Sequence, residues 1–142
     1  MKNLSRTLAA AAAVAVLASC STMSAMMSGH QVTLSGANEV PPVSTSASGS
    51  GTVTVNDDHT VKVDIKVTGM NPTAAHIHQG AMGANGKVIV PLTKKGADEF
   101  VSAEGAKLTE EQYEAYKAGN LYVNVHSAAH PGGEIRAQLA AR

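Results

Sequence analysis

The sequence has no tryptophan, one phenylalanine and three tyrosines among 142 residues. An aromatic-rich binding groove is therefore not expected, and any core must be built from valine, isoleucine, leucine and alanine. Net charge is absent too, with 11 basic against 11 acidic side chains and no basic block that could neutralise a row of phosphates. Nucleic acid is accordingly not an expected partner. The longest uncharged apolar run, Leu8 to Ala18, falls well short of the roughly 20 residues a membrane span needs. The length limits the chain to one domain and excludes a multidomain enzyme. Against these gaps stand six histidines and a single cysteine, Cys20.

The cysteine stands at the end of a leader. Lys2 and Arg6 precede the apolar run, which closes on Leu17-Ala18-Ser19-Cys20, a stretch that resembles a bacterial lipobox. Cleavage before Cys20 divides the chain into a signal peptide (1–19), a lipidated tether (20–29) and a folded domain (30–142). Several acyl chains on Cys20 would anchor the domain stably in a membrane where one would be marginal. The expected location is the bacterial cell envelope, as a periplasmic lipoprotein held at the outer membrane, since Ser21 is not the Asp associated with inner-membrane retention. A soluble secreted protein is the alternative. Loss of Lys2 and Arg6 leaves nine basic against eleven acidic side chains, a mature charge of −2. It also leaves a domain with no thiol, so disulfides, thiolate ligands and a cysteine nucleophile are all excluded. The tether's Met23, Met26 and Met27 offer thioethers to Cu(I), although methionines in a leader are usually incidental.

From His30 onward the dominant signal is alternation of apolar and polar residues, the mark of half-buried strands. In Thr60 to Thr68, Val61, Val63, Ile65 and Val67 share one face while Lys62, Asp64 and Lys66 share the other. Asn56-Asp57-Asp58 before it reads as a hairpin turn. About eight short strands are expected, including Ala74–His78, Lys87–Leu92, Glu99–Ser102, Leu121–His126 and Glu134–Leu139. That content predicts an all-β, antiparallel Greek-key sandwich or barrel. One short helix near 109–118 interrupts it, marked by Thr109 and Gln112 at capping-box spacing and Gly119 at its end. Tyr113 and Tyr116 on that helix are expected to cover an open end of the β structure.

The histidines fall in two pairs. His76 and His78 lie two residues apart on a strand, so both project from one face about 6.6 Å apart along the backbone. His126 ends a second strand, and the Pro131-Gly132-Gly133 turn can fold His130 back beside it. Alternation places Ile77, Val123, Val125, Ile135 and Ala137 toward the core. It therefore turns His76, His78, Asn124, His126, Glu134, Arg136 and Gln138 outward, and the Gly80–Gly86 loop (GAMGANG) is the expected roof. Four neutral imidazoles without a thiolate suit Cu(II), zinc or nickel, with Cu(II) first in the Irving–Williams order. A zinc site would need a general base, for which Glu134 is the obvious choice. The plainer reading is a set of ordinary polar residues on a wet sheet face. His30 and His59 have no sequence partner and are read as surface residues, and Arg136 as pairing with Glu134 or meeting a substrate.

Several stretches resemble the CHRD domain, a module of bacterial exported proteins: Leu34-Ser35-Gly36-Ala37-Asn38-Glu39-Val40-Pro41-Pro42-Val43, Gly51 to Val55, Ala75-His76-Ile77-His78-Gln79-Gly80, Val88 to Val90, Gly119 to His126 and His130-Pro131-Gly132-Gly133-Glu134-Ile135-Arg136. A second resemblance, confined to the site, is to copper-zinc superoxide dismutases, Greek-key barrels that hold copper on their outer surface by four histidines. It implies that His76, His78, His126 and His130 ligate copper and that Arg136 guides superoxide to it. The zinc cluster and the stabilising disulfide of those enzymes have no counterpart here, so the implied enzyme is copper-only. The alternatives are a copper-buffering lipoprotein without catalysis, a zinc-binding protein and an adhesive module whose His face meets another protein.

Overall fold

The computed structural model describes residues 29–142, so the expected signal peptide, Cys20 and the tether as far as Ser28 lie outside the described residues. Eight strands form the domain: β1 (His30–Ser35), β2 (Ser48–Val55), β3 (Val61–Thr68), β4 (Pro72–Gln79), β5 (Lys87–Lys95), β6 (Glu99–Ser102), β7 (Leu121–Ser127) and β8 (Ile135–Gln138). They close into one barrel in the order β1-β2-β3-β6-β5-β4-β7-β8, with every pair antiparallel. β4, β5 and β6 follow one another as neighbours. β3 crosses over to lie beside β6, and β7 returns to lie beside β4, which is Greek-key connectivity.

Alternation builds the barrel wall as expected. Along β3, Val61, Val63, Ile65 and Val67 are buried and the residues between them are exposed. The core is aliphatic apart from Phe100 and Tyr116, with Leu34, Ile65, Ile77 and Val123 among its fully enclosed side chains. β2 can approach β3 closely because Gly51 has no side chain: a Cβ there would strike the backbone at Asp64 and Ile65. β7 departs from simple alternation, since all seven of its residues are buried. Its inward residues meet the core, and its outward residues are covered by the segments described below.

One helix, α1 (Glu110–Lys117), spans the crossover from β6 to β7. Its capping box is complete: Thr109 Oγ1 accepts from the Gln112 backbone N–H at 3.2 Å, and Gln112 Oε1 accepts from the Thr109 N–H at 2.9 Å. The helix carries Tyr116 into the core, where its hydroxyl lies 2.7 Å from His30 Nε2. Two expectations are corrected here. His30 is tied to the helix through Tyr116. His59 sits in the hairpin turn at φ 68° and stacks on Tyr113, with ring centroids 4.2 Å apart. Both have aromatic partners that are distant in sequence, which no local pattern reveals. Removal of the cap by Thr109→Ala should lower stability by about 1 kcal/mol in urea unfolding, with Thr109→Ser restoring most of it. An unchanged midpoint would mean that the cap does not hold the helix.

Candidate metal centre

The site is set by the register of β4 on β7. His78 pairs with Tyr122, His76 with Asn124 and Ala74 with His126. On the far side of β7, Tyr122 pairs with Gln138 and Asn124 with Arg136 of β8. Three strands thus present one outer face bearing three histidines, a tyrosine, an asparagine and an arginine. Ile77, between the first two histidines, is completely buried on the inner face.

His76, His78 and His126 converge, each offering a ring nitrogen within 4.8 Å of the others, close enough to hold a metal ion. Backbone carbonyls fix their tautomers. A carbonyl oxygen only accepts, so His78 Nδ1 donates to Gly86 O at 2.9 Å and His126 Nδ1 donates to Pro131 O at 2.9 Å. In each neutral ring Nε2 is then a lone pair. His76 Nδ1 lies 3.0 Å from His126 Nε2 and must be the donor to it. Among the described residues, His78 Nε2 is buried with no hydrogen-bond partner. An orphaned buried acceptor costs about 1–3 kcal/mol, and a cation at that nitrogen would satisfy it. Histidine ligands commonly donate their second ring N–H to a carbonyl, as two of these do, so the residues present fit a late first-row metal.

Burial pulls the pKa of His76 below the ordinary histidine value of 6.5, and the neighbouring His126 and His78 add to the effect. Burial also lowers His126, against the raising influence of its bond to Pro131. Both rings are therefore neutral, and open to a cation, over a wider pH range than an exposed histidine.

The other residues singled out in the sequence have different places. His130 lies outside the converging group. It occupies the turn after β7, where its backbone N–H donates to Ser127 and its carbonyl accepts from Gly133 N–H. Glu134 accepts from Thr45 Oγ1 at 2.7 Å and from the Ser127 hydroxyl. Burial pushes the Glu134 carboxyl up, but those hydroxyls and nearby His130 outweigh it and hold it below its ordinary value. Glu134 is likewise absent from the histidine group.

Arg136 requires a correction. It points to the outer face of the barrel but is only 1% exposed, because the Gly80–Gly86 loop folds down over it. Its Nη2 donates to Ala84 O at 2.7 Å, its Nη1 to Asn85 Oδ1 at 3.3 Å, and its guanidinium carbon stands 3.4 Å from the Tyr122 ring centroid. It neither faces solvent as an anion guide would nor pairs with Glu134. The roof itself is where the sequence placed it.

With this geometry established, comparison with known proteins assigns the chain. The protein-family model of the CHRD domain matches residues 30–139. The chain belongs to the CHRD family. No curated protein and no solved structure matches it.

Sequence reasoning placed Asn124 on this face but missed two further residues of the site, Tyr122 and Glu39. Tyr122 stacks on His78, Asn124 stands between His76 and Arg136, and Glu39 is buried beside them with an unpartnered Oε1. Burial raises the Glu39 pKa above its ordinary value, against the opposing influence of Arg136, Asn124 and the Val40 backbone. Tyr122 was recoverable, since it shares a face with Asn124 and His126. Glu39 was not, because it arrives from the short 3-10 turn Gly36–Asn38 on a distant part of the chain.

The lowered histidines give the metal-free protein a pH dependence. In the unfolded chain they bind protons near pH 6.5, while in the fold they do so only at lower pH. The unfolded state therefore holds more protons below about pH 6.5, and stability falls as pH drops through the histidine range. Unfolding of chelator-treated protein across that range should show a smaller decline in His76→Gln than in wild type. Equal slopes would contradict the assignment.

Proposed function

We propose that this CHRD domain is a copper-binding lipoprotein of the bacterial cell envelope, with His76, His78 and His126 as the ligands. The observation that carries the reading is the buried, unpartnered Nε2 of His78 beside two further imidazoles on one outer face. Ligand type supports copper over zinc. The group contains no thiolate or carboxylate, and Cu(II) binds nitrogen donors more tightly than the other divalent ions of its row. Glu134, the base a hydrolytic zinc centre would need, is engaged by two hydroxyls. The lipid anchor at Cys20 rests on the leader's charge, length and lipobox.

The chain's own residues prepare the site. Gly86 and Pro131 hold the Nδ1 protons of His78 and His126, leaving the Nε2 lone pair of each ring as the one that would bind the metal. His76 must give up its Nδ1 proton to ligate through that atom. Its ring is partly exposed, so water can relay that proton to Nε2, and the neutral ring changes tautomer without a change of charge. When bound, copper supplies one-electron chemistry by cycling between Cu(II) and Cu(I).

A second reading, dismutation of superoxide, is favoured by the count of ligands: three histidines leave a position open for a small substrate. Guidance of the anion by Arg136 is not part of it. Copper buffering without turnover is the simpler use of the same centre.

Full-length protein titrated with Cu(II) should bind one equivalent. His76→Ala and His126→Ala should lose at least about 100-fold in affinity, the scale of removing a direct ligand, whereas His130→Ala should stay near wild type. Undiminished binding by either of the first two would refute the ligand set. Superoxide decay no faster with the loaded protein than with His76→Ala would leave buffering as the role. Cys20→Ser should move the protein from the membrane to the soluble fraction.

A further inference from the structure

Tyr122 lies on the middle strand of three. On the β4 side its ring is parallel to that of His78, with an interplanar angle of 4° and centroids 4.8 Å apart. It also carries the Arg136 guanidinium at 3.4 Å from its centroid. The same three side chains grip the Gly80–Gly86 loop. The Tyr122 hydroxyl accepts from Gly86 N–H at 3.1 Å, Gly86 O accepts from His78, and Arg136 donates to Ala84 O. Gly86 closes this ring because it has no side chain: a Cβ there would collide with the Gln79 carbonyl.

A histidine that ligates through Nε2 needs its ring fixed against a flip, which would exchange the two nitrogens, and its proton held on Nδ1. The stack supplies the first condition and Gly86 the second. We infer that Tyr122 and Arg136 are positioning residues of the metal centre, locking His78 with Nε2 offered to the metal and thereby coupling metal capture to closure of the Gly80–Gly86 loop. The inference rests on the metal reading above. Coupling is reciprocal, so whatever the closed loop contributes to metal affinity, bound metal must return as protection of the loop.

This gives a role to an arginine buried under the roof, where the nearby Glu39 carboxyl supplies opposite charge and the loop carbonyls take its hydrogen bonds. The guanidinium engages flat aromatic surface and loop carbonyls at the same time, which a lysine ammonium cannot do. It also explains why the loop's length is tied to the site. Gly86 has to return to Gln79, at the end of β4, for its carbonyl to meet His78.

The test uses full-length protein with Cu(II) as the probe and three readouts: affinity by chelator competition, the electron paramagnetic resonance signature of bound Cu(II), and amide hydrogen exchange of the loop. Tyr122→Leu should weaken affinity by about 10–100-fold, the usual effect of losing a supporting residue, and alter the copper signature. Tyr122→Phe, which keeps the stack but frees Gly86 N–H, should fall between it and wild type. Cu(II) should slow exchange at Ala84 and Gly86 in wild type and much less in Tyr122→Leu. Should Tyr122→Leu fail to fold, Tyr122→Phe and Arg136→Lys carry the same comparison. If wild type binds Cu(II) and the folded variants match it in affinity, signature and loop protection, the positioning role is overturned while the metal centre stands. If wild type takes up no Cu(II), the metal reading falls and this inference with it.

Discussion

The register of β4 on β7 is the constraint on which everything else in this domain depends. Side chains alternate across a strand, so a slip of one residue would turn His76 and His78 into the barrel and expose Ile77. Ile77, completely buried between them, makes that slip costly. The same pairing sets His78 against Tyr122 and His76 against Asn124, and β8 extends the row with Arg136. Core packing on the inner face therefore fixes chemistry on the outer one, and no separate device is needed to bring the three imidazoles together.

What the register assembles, backbone carbonyls then orient. Gly86 and Pro131 come from the two loops that flank the site, and each holds one Nδ1 proton. Two loops that look like simple connections thus decide which nitrogens are free. Burial keeps His76 and His126 neutral, and it leaves His78 Nε2 without a partner. A fold optimised for stability alone would not enclose an unsatisfied acceptor beside two other imidazoles. The local cost is borne by an aliphatic barrel around it, which is where a protein can carry a functional site.

Much of this was legible in the sequence, for identifiable reasons. Period-two patterning revealed β3, β4 and β7, and the Thr109/Gln112 spacing revealed α1, because both signals are local. The outward placement of His76, His78 and His126 followed from Ile77, Val123 and Val125. Contacts made across the barrel were not legible. Tyr116 meets His30, Tyr122 stacks on His78 and Glu39 reaches Asn124 and Arg136 only once the strand order is known. Arg136 shows the difference most clearly. Alternation gave its direction correctly, but whether a residue facing outward meets water depends on what folds over it, and here the Gly80–Gly86 loop does. For His130, spacing in the Pro-Gly-Gly turn suggested a fourth ligand, whereas the turn's hydrogen bonds run through its backbone.

The central claim is that three histidines on one face of the barrel form a single metal centre. The most direct measurement is an anomalous difference map, at the copper absorption edge, from crystals of the copper-loaded protein. One dominant peak bonded to His76, His78 and His126, with Gly86 and Pro131 still accepting the Nδ1 protons of His78 and His126, is the expected result. A peak at His130, at the methionines of the tether, or nowhere on the β4–β7 face would contradict it.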